Sequence, residues 1–75
     1  MIRIELTDTF GGETNYSWIH RMEIKDGDLS NRQILKRVRN KFGITGKIRK
    51  VMDTGDFLRY DIAGACVCIL IYWEY

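Results

Sequence analysis

The side chains able to do covalent chemistry are few in this sequence. Its 75 residues include one histidine, His20, and two cysteines, Cys66 and Cys68. A nucleophilic site needs a base in hydrogen-bonding reach of the nucleophile and a third group that orients the base. A single histidine without supporting spacing builds no such set, and His20 reads as a hydrogen-bonded residue of a core or its rim. Zinc takes four ligands in structural sites and three in catalytic ones, drawn from Cys, His, Asp and Glu. One His and two Cys leave little material for that, so neither metal nor cofactor is expected. Cys66 and Cys68 lie two apart, side by side on one face of a strand, where a mutual bridge needs distorted geometry. They read as reduced, small core residues. No enzyme is expected.

Positive charge, by contrast, is concentrated. The net charge is only +2, but residues 1–30 hold three basic and six acidic side chains, and residues 51–75 hold one and four. Between them, residues 31–50 hold eight basic side chains and no acidic one: Arg32, Lys36, Arg37, Arg39, Lys41, Lys47, Arg49 and Lys50. Such a segment can neutralise phosphates and release their counterions. These eight are the candidate partner-binding residues. The competing reading is a solvated face whose cations pair with Asp8, Glu13, Asp53, Asp56 and Asp61, pairs that stabilise little when exposed. Both readings are open at this level.

Two smaller motifs carry weaker signals. Gly43-Ile44-Thr45-Gly46 has the GxxG spacing with which some domains clamp a nucleic-acid backbone, but a helix C-cap glycine and a loop glycine account for it more simply. Phe10-Gly11-Gly12, followed by Tyr16 and Trp18, suggests a glycine loop beside aromatics able to stack bases. Such a stripe is more often core, so Phe10, Tyr16 and Trp18 are secondary candidates.

The elements that position these residues follow from periodicity. Residues 1–7 alternate, with Ile2, Ile4 and Leu6 on one face, which predicts a half-buried strand. Residues 8–15 are rich in turn formers and predict a long loop. In the next strand Tyr16, Trp18, His20, Met22 and Ile24 share a face. Asp26-Gly27-Asp28 breaks the pattern. Ser30 with Gln33 forms a capping box, Ile34, Leu35, Val38 and Phe42 form one helical stripe, and Gly43 stops the helix. The helix is therefore expected over residues 31–42. Strands are expected over 47–53 and 57–62, joined through Thr54-Gly55, and over 66–72. The fold class is α+β: a single domain over residues 1–75, ordered β-β-α-β-β-β, mainly antiparallel, with one helix packed on one face. Pairing the first strand with the last places the most apolar strand centrally.

That last strand is apolar on both faces, and one helix covers only one of them. The other must be covered by a partner chain or by Tyr16, Trp18 and Trp73 folding across it. A homodimer is the expectation, because large apolar patches rarely stay exposed on monomers. The longest uncharged stretch, Ile62 to Trp73, is twelve residues, too short for a membrane-spanning helix of roughly 20. With an N-terminus unlike a signal peptide, the expectation is a cytoplasmic protein without a membrane partner.

The run Ile4-Glu5-Leu6-Thr7-Asp8-Thr9-Phe10-Gly11-Gly12-Glu13-Thr14-Asn15-Tyr16-Ser17-Trp18 and the closing Gly64-Ala65-Cys66-Val67 resemble a group of small bacterial proteins carried by prophages, plasmids and other mobile elements. The resemblance covers the first twenty or so residues and the last strand, and brings no activity and no site. It implies a context of host-defence inhibitors, including anti-CRISPR proteins, and of DNA-binding regulators. The expectation is a non-enzymatic inhibitor that binds a host protein or protein–nucleic-acid complex by occupying or blocking a site. The alternative is a small DNA- or RNA-binding regulator that uses the basic helix and the strand after it.

Overall fold

The computed structural model describes residues 1–25 and 28–74; Asp26 and Gly27, within the expected break after the second strand, lie outside the described residues, as does Tyr75. Five strands and one helix follow in the expected order: β1 (Ile2–Phe10), β2 (Glu13–Ile24), α1 (Asn31–Phe42), β3 (Ile48–Asp53), β4 (Phe57–Ile62) and β5 (Val67–Trp73). The sheet runs β2-β1-β5-β4-β3, antiparallel at every pairing. The expected β1–β5 pairing is present, with Ile2 opposite Trp73 and Ile4 opposite Ile71. It brings the Met1 ammonium 3.2 Å from the Glu74 carbonyl, which it donates to.

Local signals define α1. The Ser30 hydroxyl accepts the Gln33 N–H, and the Gln33 side chain accepts the Ser30 N–H, at 3.2 and 2.9 Å. This reciprocal cap contributes about 1 kcal/mol. Gly43, at φ 67°, ends the helix. Ile34 and Val38 face down onto Ile2, Ile4, Leu6, Leu58, Ile69 and Ile71, all buried. Each fully buried aliphatic side chain contributes about 1.5–3 kcal/mol. No described helix is long and apolar enough to cross a membrane.

The first hairpin differs from the expected long loop. β1 continues to Phe10, β2 begins at Glu13, and Gly11 and Gly12 alone make the turn, at φ 63° and 84°. Two consecutive positive φ values suit a two-residue turn matched to strand twist, and glycine reaches them without strain. The irregularity lies lower down. Thr7 pairs with Ile19 and Thr9 with Thr14, so four residues of β2 bulge opposite Asp8. The Asp8 carboxylate fastens the bulge: it accepts the Ser17 hydroxyl at 2.6 Å, the Asn15 amide at 2.9 Å and the Ser17 N–H at 3.0 Å. These bonds, that from Ser17 foremost, hold the Asp8 pKa at about 2, below its ordinary 3.8.

The bulge changes which face Tyr16 occupies. Tyr16 takes φ 56°, rare for a side chain of its size. Trp18 and His20 stay on the helix side, where His20 meets Phe42. Tyr16 instead crosses to the opposite face and interacts with Tyr72. The expectation that Tyr16 shares a face with Trp18 and His20 is therefore corrected, the cause being one residue in left-handed backbone.

This crossing helps to close the second face. There Arg59 donates from Nη2 to the Gly12 carbonyl at 2.8 Å and from Nε to Asp61 at 3.0 Å, tying the hairpin tip to β4. Arg21 donates to the buried Glu5 at 2.9 Å. Arg3 lies 4.7 Å over the Tyr72 ring, which also packs on Phe57. Leu70 and Cys68 are 1% and 0% exposed in the single chain, and burial raises the Cys68 thiol pKa. The open apolar face on which the dimer expectation rested is thus closed within one chain.

Candidate functional site

The helix–strand crossover sets the geometry of the basic segment. Helical periodicity divides α1 into a core stripe and two flanks. On the β3 flank, Arg32, Lys36 and Arg39 face Lys50 across a groove of about 510 Å³ floored by Leu35, Ile48 and Tyr60. Arg37 and Lys41 project from the opposite flank. Lys47 opens β3's approach, where its carbonyl accepts the Ala63 N–H at 2.8 Å. Arg49 leaves the group: strand alternation carries it to the other face of the sheet, where it lines a cavity of about 340 Å³ with Thr9 and Asp61. Four of the eight predicted residues therefore meet around one groove, and the others surround or oppose it.

Among the described residues, the acids neutralise one groove cation, Lys50. Asp8 is taken by Ser17 and Asn15, and Asp61 by Arg59. Lys50 pairs with Asp53 at 3.2 Å, and the Gly55 N–H and Lys50 together lower the Asp53 pKa. Among the described residues, Arg32, Lys36, Arg37, Lys41, Lys47 and Arg49 form no ion pair. Arg39 has a structural duty, donating to the Gly46 carbonyl at 3.0 Å. Exposed guanidinium and ammonium groups keep their stems on the apolar floor and their charges in water.

The secondary candidates separate. Phe10 stands at the hairpin tip, 80% exposed. Tyr16 closes the second sheet face. Trp18, 38% exposed, packs on His20 with ring centroids 5.3 Å apart. It also lines a cavity of about 360 Å³ with Leu6, Ile44, Gly46, Ile62 and Val67. The Gly43–Gly46 loop serves packing: a Cβ at Gly46 would stand 3.2 Å from the Ile62 side chain. Sequence reasoning missed the apolar floor of the groove, although Leu58, Tyr60 and Ile62 alternate in β4 and signal one buried face. No group of three or more metal-ligating side chains occurs among the described residues.

No protein-family model, curated protein or solved structure matches this chain.

Proposed function

We propose that this protein is a non-enzymatic binding protein that grips the phosphate backbone of a nucleic acid with the cationic face of α1 and β3. The observation that carries this reading is the set of cations around the α1–β3 groove, of which Arg32 and Lys36 have no acidic partner among the described residues. Along α1, Arg32, Lys36 and Arg39 span roughly 10 Å at 1.5 Å per residue, a length that accommodates successive phosphates. Charge that the fold does not use internally is available to an anionic partner, and each neutralised phosphate releases counterions. A protein that occupied the nucleic-acid channel of a host complex would need the opposite sign on its docking face, since such channels are themselves basic. The positive groove therefore favours nucleic acid as the contacted group.

A second reading is the anti-CRISPR-type inhibitor of a host nucleic-acid-associated defence complex. Phe10 is the observation that favours it: an exposed aromatic side chain on a fastened hairpin suits a protein-docking anchor. On that reading the protein blocks its target by covering nucleic acid held in the complex, with Phe10 engaging the protein beside it.

A salt series of oligonucleotide-binding titrations tests the first reading. The logarithm of the binding constant should fall with the logarithm of salt by about 0.7–0.9 per phosphate contacted. Charge reversal of Arg32 and Lys36 together should reduce that slope by roughly the two contacts removed. Absence of binding at low salt would leave the inhibitor reading, which capture of the assembled complex from a host would then test.

A further inference from the structure

The cavity beside Trp18 has no role in holding the cationic face together, yet it lies at the end of the same helix. Its walls are mostly aliphatic: Leu6, Ile44, Ile62 and Val67. Trp18 adds an aromatic ring that is held in place by His20, itself 6.3 Å from Phe42. The Gly43–Gly46 loop forms one side, fixed by the Arg39 bond to the Gly46 carbonyl. Thr45 brings a hydroxyl that bonds no other described residue. No cation lines the cavity, but Lys47 follows the loop directly in sequence.

Resting on the nucleic-acid reading above, we infer that this cavity takes an unpaired base, and that the preferred ligand is single-stranded nucleic acid. An apolar slot of this size falls in the range used for small ligands, and every base offers a π-face to stack on an indole. Lys47, next in sequence to Gly46, can meet a phosphate beside that base, while Thr45 and the loop backbone can meet its polar edge. A paired base is shielded by its stack and cannot enter. Single strands are therefore distinguished from duplex by the slot, and both are attracted by the charge.

The test compares a labelled 12-nucleotide oligothymidylate with a 12-base-pair duplex by fluorescence anisotropy. Trp18→Leu, which keeps apolar volume and removes the aromatic ring, should weaken oligothymidylate binding by roughly 5- to 150-fold, the range for one lost stacking contact. Duplex binding should change less than about twofold, and Trp18→Phe should restore most of the loss. In a Trp73→Phe protein, where Trp18 is the only tryptophan, oligothymidylate should quench the emission to saturation. This arm decides the matter if Trp18→Leu does not fold. Equal losses on single strand and duplex, or binding without quenching, would overturn the slot and leave the cationic groove standing. Failure of the unaltered protein to bind either oligonucleotide would overturn both.

Discussion

The two faces of the sheet are closed by different physics, and β5 feels both. Its helix side, with Ile69 and Ile71, packs into an aliphatic core under Ile34 and Val38. Its other side, with Cys68 and Leu70, is equally buried, yet the groups around it are fastened by directional contacts: Asp8 to the bulge, Arg59 to Gly12, Arg21 to Glu5. Apolar packing is insensitive to pH and tolerant of register within a face. A hydrogen-bonded cover depends on individual protons and on a single backbone conformation at Tyr16. Both faces of one central strand are thus covered by described residues of a single chain.

The largest expected effect separates the faces by truncation. Ile71→Ala should cost about 4–5 kcal/mol, because the helix and sheet around it collapse little. Leu70→Ala should cost about 2–3 kcal/mol, since the hairpin tip can settle onto the smaller side chain. Urea unfolding curves measure both, and equal losses would break the comparison.

Next is the tie between tip and sheet. Arg59→Ala removes the bonds to Gly12 and Asp61 and should destabilise the domain by about 2 kcal/mol. Hydrogen exchange of the amides from residue 10 to residue 17 should accelerate while those of α1 keep their protection. Uniform acceleration would show that the two covers open as one unit.

The pH dependence sharpens the same contrast. The Asp8 pKa is depressed in the fold, to about 2 from 3.8, so its stabilising contribution is complete above about pH 4 and is lost as pH falls towards 2. Asp8→Asn should remove the part of the acid-induced loss that falls in this window. At the other extreme, burial above all, then the Tyr16 contact, pushes the Tyr72 phenol up to about 12. Its contribution is complete below about pH 10 and is lost as pH rises through 12. Absorbance at alkaline pH should show one tyrosine ionising late, and Tyr16→Phe should bring it earlier.

The smallest effects on stability belong to the cationic face. Arg32→Glu with Lys36→Glu should move stability by no more than about 0.5 kcal/mol, as exposed substitutions do, while anion binding collapses. In light scattering, the chain should return its own mass of 8.8 kDa, because both faces of β5 are already covered. A doubled mass would mean that Phe10, Val51 and Met52, all exposed, find cover in a second copy.

What was legible in the sequence follows the same division. The span of α1 from residue 31 to 42, the β3–β4–β5 meander and the β1–β5 pairing all rest on local periodicity, caps and the need to bury the most apolar strand. The hairpin cover could not be read this way. Arg59 meets Gly12 across 47 positions, and the crossing of Tyr16 depends on a bulge that Asp8 fastens from nine positions away. Neither leaves a pattern in neighbouring residues. For the site, residue type identified the cations, but grouping them required the fold. Ile48, Arg49 and Lys50 alternate along β3, so Arg49 departs to the far face while Lys50 joins the groove. The Trp18 cavity, built from five separated segments, left no trace in spacing.

The meeting of Met1 with Glu74 sets the order in which the molecule can assemble. The β1–β2 and β3–β4 hairpins join neighbours in the chain and can form within microseconds, but the β1–β5 ladder pairs Ile2 with Trp73 and closes the residues between them as one long loop. That closure carries the largest entropy cost of any pairing here, and high sequence separation slows folding. On the ribosome β1 has to wait for β5, its exposed edge holding only the hairpin partner in the meantime. A circular permutant that links Glu74 to Met1 and opens the chain between α1 and β3 would leave every sheet pairing between sequence neighbours, and its refolding rate should rise accordingly.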